Sequence, residues 1–130
     1  MQLLRTGWIL IAASVVGAQP TNDGFPAESE KLSVGELKTA LSGNSFLVIS
    51  PENIHMRLSF SDSGYVFISG YLNGPTERLR GNGKWRVEGS AVCVDWITAQ
   101  ARNFCLETRK SADGLVLRRL NGDLVRWVPD

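Results

Sequence analysis

Residues Gly81–Cys105 read GNGKWRVEGSAVCVDWITAQARNFC, and the register of this stretch decides the fold. Gly89-Ser90 suits a two-residue hairpin loop with a primed turn. Glu88 then faces Ala91, Val87 faces Val92, Trp85 faces Val94, and Lys84 meets Asp95 in an exposed ion pair worth well under ~1 kcal/mol. Setting Cys93 opposite Cys105 places Val92 against Leu106 and Val94 against Phe104. Trp85, Val87, Val92, Val94, Trp96, Phe104 and Leu106 now share one face, and both cysteines share the other. The turn and the cysteine pair are independent assumptions that give the same in/out assignment; a slip of one residue would destroy it.

Cys93 and Cys105 are the only two cysteines, so one connectivity is available. Cysteines directly across a strand pair meet the separation a disulfide needs, and a loop this short contributes about 3 kcal/mol by chain entropy. A redox pair would use a C-x-x-C spacing that lowers one thiol's pKa; here eleven residues intervene. The bridge is structural, and it fixes the connection Ile97–Asn103.

Upstream, Leu32–Asn44 (LSVGELKTALSGN) predicts a capping helix over residues 33–43. Ser33 and Glu36 form a capping box, Leu32 and Leu37 a hydrophobic staple. Val34, Leu37, Ala40 and Leu41 form one apolar face, and Gly43 suits the left-handed position that ends a helix. From Ser45 the period changes to two. Phe46–Ile49 is a short buried-type run. Met56, Leu58 and Phe60 alternate with polar residues, and a four-residue loop Ser61–Gly64 pairs Phe60 with Tyr65 and Leu58 with Phe67. Leu72-Asn73-Gly74-Pro75 signals a turn, and Gly81-Asn82-Gly83 a bend or bulge. Downstream, Leu115–Leu117 and Val125–Trp127 make a last hairpin. A three-residue loop Asn121–Asp123 pairs Leu117 with Trp127 and Arg119 with Val125.

The first residues read as export signal: Arg5, an apolar run Trp8–Val16, and Val16-Gly17-Ala18 before a predicted cleavage at Gln19. Residues 1–18 are thus a signal peptide, 19–31 a flexible lead-in, and 32–130 one domain. The apolar run is short for a membrane span, so no span is expected once the leader is cleaved. Of 14 basic residues only Arg5 lies in the leader, leaving 13 against 13 acidic. That balance argues against nucleic acid, which needs concentrated Lys and Arg.

Motifs that carry chemistry are missing from the sequence. His55 is the single histidine, with no second ligand near it in sequence and no nucleophile partner. Asp95, Glu107 and Glu88 fall on the outer face of the meander, where carboxylates are ordinarily solvated. The expectation is no catalytic residue, no cofactor and no metal. Trp85, Trp96 and Trp127 belong in or at the mouth of the core, where with Ile97 and Asn103 they offer a binding surface; small barrels hold one small ligand. Arg78, Arg80, Arg86, Arg118, Arg119 and Arg126 offer either a basic patch or a solvated face.

The combination of leader, L-S-x-x-E-L helix (Leu32–Asn44), G-x-W-R-V-x-G (Gly83–Gly89), Cys93/Trp96/Cys105 and the closing hairpin Gly114–Trp127 resembles a family of small exported proteobacterial proteins of unassigned function. That resemblance implies a small barrel-like domain in a Gram-negative periplasm or outside the cell. A weaker resemblance is to the periplasmic metalloprotease-inhibitor barrels, which have one disulfide and a mobile N-terminal plug; here the cysteine spacing is shorter and residues 19–31 match no plug. The fold expected is mainly β: a small antiparallel, barrel-like meander of about eight strands with one short N-terminal helix. The function expected is a secreted or periplasmic, non-enzymatic binding or envelope-associated module. Its partner is a protein or a small apolar ligand. An inhibitor of a secreted or periplasmic hydrolase is the alternative, and an enzyme the third reading.

Overall fold

In a computed structural model describing residues 23–51, 55–71 and 78–130, the meander closes on itself. Residues 1–22 and the turn expected at Leu72–Pro75 lie outside the described residues. A two-residue strand β1 (Glu30–Lys31) precedes the helix α1 (Val34–Leu41). Eight strands follow: β2 (Ser45–Ile49), β3 (His55–Phe60), β4 (Tyr65–Tyr71), β5 (Arg78–Glu88), β6 (Ala91–Trp96), β7 (Phe104–Ser111), β8 (Gly114–Arg118) and β9 (Leu124–Pro129). Each pairs antiparallel with its neighbour in sequence, and β2 pairs with β9 through Phe46–Pro129 and Val48–Trp127 to seal the wall. The result is an eight-stranded up-and-down barrel, an architecture that leaves no open sheet edge.

The stapled meander has the register read from the sequence. Trp85 faces Val94, Val87 faces Val92, and Cys93 faces Cys105, their Cα atoms 4.0 Å apart in a disulfide. Lys84 does sit across from Asp95, but the ion pair goes elsewhere: Arg86 Nη1 holds Asp95 at 2.8 Å and also engages Glu88. The longer side chain on the same outer face reaches both carboxylates. Lys84 instead leans over the ring of Tyr65.

Two hairpins correct the sequence reading. The first loop has three residues, Asp62-Ser63-Gly64, closed by the Ser61 N–H donating to the Tyr65 carbonyl at 2.8 Å. Gly64 takes φ +95°, the left-handed third position such loops favour. Phe60 therefore faces Val66 and Leu58 faces Ile68. That one-residue difference turns Val66 and Ile68 into the core and Tyr65 and Phe67 out to solvent. The last hairpin repeats the device with Leu120-Asn121-Gly122, Gly122 at φ +93°. Leu117 pairs with Val125 and Leu115 with Trp127. This shift moves the partner by two residues, so the expected faces survive.

The capping box is present in both directions, with the Glu36 N–H on Ser33 Oγ at 3.2 Å and the Ser33 N–H on Glu36 Oε1 at 2.9 Å. These bonds, the backbone one foremost, hold the Glu36 carboxyl below its ordinary value. Leu37 and Leu41 are fully buried, while Val34, expected beside them, is exposed, so the packed stripe is a single turn. The described part of the expected lead-in, 23–31, is packed. β1 pairs with Arg109 and Lys110, the half of β7 that β6 does not reach. Phe25 is buried between the guanidiniums of Arg109 and Arg118, 4.5 and 5.4 Å from its ring centre. Asp23 adds a carboxylate to Arg109 and a carbonyl to Arg118.

Candidate functional site: the hollow end of the barrel

Alternation sends the residues of each strand to wall or interior, and the loops to one of two ends. The end that carries α1 and the hairpins after β3, β5 and β7 is filled. Leu37 and Leu41 enter it from the helix. Phe60 meets Trp85 edge-on at 5.6 Å and Trp127 at 5.5 Å, and Phe46 packs on both Phe60 and Trp127. The Trp85 indole N–H donates to the Ser61 carbonyl at 2.9 Å, which satisfies its one polar atom. Trp85, expected on a binding surface, is thereby locked into the filled end.

The other end is hollow. A cavity of about 310 Å³ opens there, walled by Val48, Met56, Leu58, Ile68, Leu79, Phe104, Leu106 and Val125 from six strands, with Trp96 and Trp127 at its sides. Among the described residues, polar lining groups stand at the mouth, as Gln100 and Arg102 from the loop after β6 and Arg119 from the last hairpin. Of the residues expected on a binding surface, Trp96 and Trp127 line this cavity. Ile97 is exposed, and Asn103 is spent on structure: its side-chain oxygen accepts the Trp96 N–H at 2.8 Å.

The loop 97–103 is tucked back over the mouth. The N–H groups of Ile97 and Thr98 donate to the Asn82 carbonyl at 2.9 and 3.2 Å. Thr98 Oγ1 accepts the Asn82 N–H at 2.9 Å and donates to its side-chain oxygen at 2.6 Å. Ala99 then sits on Gly81, whose missing Cβ would lie 2.6 Å from the Ala99 backbone. The glycines read as a bend or bulge are instead part of the continuous eleven-residue strand β5, whose register with β4 and β6 runs unbroken. Gly81 faces inward to admit the loop, and Gly83 to admit Trp96. A glycine inside a strand marks such a close approach; that was the signal available in the sequence.

Other candidates disperse. The arginines do not form one patch: Arg86 is held by Glu88 and Asp95, which raise its pKa in that order, Arg126 by Asp113, and Arg118 by the Asp23 carbonyl. Glu88 lies within 4.8 Å of the sulfurs of Cys93 and Cys105. Those sulfurs are bonded to each other, and a metal would need thiolates. A larger, shallower groove of about 660 Å³ runs beside α1 at the filled end, between Leu32, Phe46 and Pro129. Among the described residues no helix is long and apolar enough to cross a membrane.

No family model matches the chain, and no curated protein and no solved structure matches it. The class therefore rests on the fold and the site: a small up-and-down β-barrel, plugged at one end and hollow at the other.

Proposed function

We propose that this protein is a non-enzymatic binder that holds one small amphipathic molecule inside the barrel. The observation that carries this reading is the cavity itself: an apolar interior whose charged lining groups among the described residues, Arg102 and Arg119, stand at the mouth. An apolar body would replace water along Leu79, Ile68 and Trp127. An anionic head would stay at the rim, where a guanidinium pairs with a carboxylate in planar, bidentate fashion. The volume of about 310 Å³ lies at the lower end of ligand pockets, roughly 300–1,000 Å³, so the molecule is small. The disulfide fits an oxidising compartment, and together with the leader-like start it supports a periplasmic or secreted protein.

Calorimetric titration with decanoate and with decanol tests the reading. Saturable one-to-one binding of decanoate is expected. Arg102→Gln combined with Arg119→Gln should weaken decanoate by about tenfold and leave decanol unchanged, the loss of one charge-assisted contact. Ile68→Trp, which fills the cavity, should abolish both. Absence of binding to either compound, or binding that Ile68→Trp leaves intact, would remove the cavity from consideration.

A further inference from the structure

The three-residue loop at Asp62–Gly64 has an effect on the outside of the barrel. By turning Val66 and Ile68 inward it sets Tyr65, Phe67 and Tyr71 along the outer crest of β4, exposed at 40, 51 and 36%. From Tyr65 to Tyr71 the crest runs roughly 20 Å. The strands on either shoulder present cations. Outward positions of β5 carry Arg78, Arg80 and Lys84, opposite Tyr71, Ser69 and Tyr65. β3 carries Arg57, which faces Ser69 and binds Asp130 at 2.6 Å. Arg78 and Lys84 already lean across the crest, each 6.0 Å from a tyrosine ring centre. No carboxylate occurs on β3, on β4, or on β5 before Glu88. Among the described residues, the acidic side chains bordering this wall are Asp62 in the hairpin tip, Asp95 across from Lys84, and Asp130 on Arg57. The balanced charge of the whole chain conceals this segregation.

We propose that this wall is an interfacial face that lies on an anionic lipid bilayer. Charge complementarity calls for a negative partner, and shape selects which. Extended polyanions are held in grooves lined with cations, whereas the outside of a closed barrel is convex. A convex wall with aromatic side chains on its crest and long cations on its shoulders fits a planar surface. The rings enter the headgroup layer, as interfacial tyrosines do, and the flanking side chains extend their charges to the phosphates. The interior cavity plays no part in this contact.

Co-sedimentation of the disulfide-intact mature protein with phosphatidylcholine vesicles, and with vesicles that also contain phosphatidylglycerol, tests it. Binding to the mixed vesicles alone, weakened by salt, is expected. Each cation near an anionic surface contributes roughly fivefold in affinity, so Arg78→Glu with Arg80→Glu should lower binding at least about 25-fold. Phe67→Ser with Tyr71→Ser should lower it independently, with melting checked to show that both variants remain folded. The proposal is overturned by equal binding to neutral vesicles, by variants that bind as the wild type does, or by no vesicle binding alongside capture of heparin through the same arginines.

Discussion

The two ends of the barrel are made from the same alternating strands and reach opposite outcomes. At the filled end α1 supplies Leu37 and Leu41, and Phe46, Phe60 and Trp85 close the space around Trp127. At the hollow end the strands bring a ring of apolar side chains that leaves a space between them, and the loop over the mouth sets Ala99 on Gly81 and brings Gln100 and Arg102 to the rim. Closing a barrel wall is thus separable from filling it. Dense packing is concentrated at the end that carries the helix, and space is left at the other.

That contrast is open to direct attack. The largest effect is expected from Leu41→Ala, which empties the plug and should cost about 2–5 kcal/mol in urea denaturation. Leu79→Ala at the hollow end should cost less, because its side chain borders a space that is already empty. Equal losses would abolish the distinction between the ends. Next comes Cys93→Ser with Cys105→Ser, expected to lose about 3 kcal/mol against the oxidised wild type, with the reduced wild type as the control that separates the bond from its residues. Gly81→Val should cost about 1–3 kcal/mol through overpacking, and limited proteolysis should then cut within 97–103 if the loop is dislodged. Stability lost without new cleavage would mean that the strand, rather than the loop, has moved.

The smallest effect is a pH dependence. The Glu36 carboxyl has a folded-state pKa below its ordinary 4.5. Its contribution is therefore present above that value and lost as pH falls through the lowered one. Glu36→Gln, which keeps an acceptor at the cap, should show a flatter decline in melting temperature over this acidic window than the wild type.

How much of this was legible in the sequence differs from one segment to the next, for physical reasons. The meander from Lys84 to Leu106 was readable because its two constraints, a turn and a disulfide, left one register. The β3–β4 hairpin was not, because Tyr65, Val66, Phe67 and Ile68 are apolar on both faces and periodicity could not choose between them. Only the left-handed requirement at Gly64 decides, through a loop one residue shorter than expected. The cavity residues Trp96 and Trp127 were foreseen as aromatic strand residues, whereas Arg102 was not singled out and Arg119 entered only as a hairpin position and as part of a suspected basic patch. Loops from opposite sides of the chain bring them to one mouth, and no local pattern encodes that. The packing of 23–31 escaped notice because Phe25 and Asp23 find their partners more than eighty positions away.

The seam between β2 and β9 has a consequence in time. Every other wall contact of the barrel joins consecutive strands and can form as a local hairpin, but this one joins Phe46 to Pro129. Such a distant closure must pay its chain entropy before any contact rewards it. Until β9 has been synthesised the wall cannot close, and Trp127 is missing from its centre. The growing chain is held short of its native state until this strand arrives, which is the condition a polypeptide must meet if it is to be threaded across a membrane before it folds.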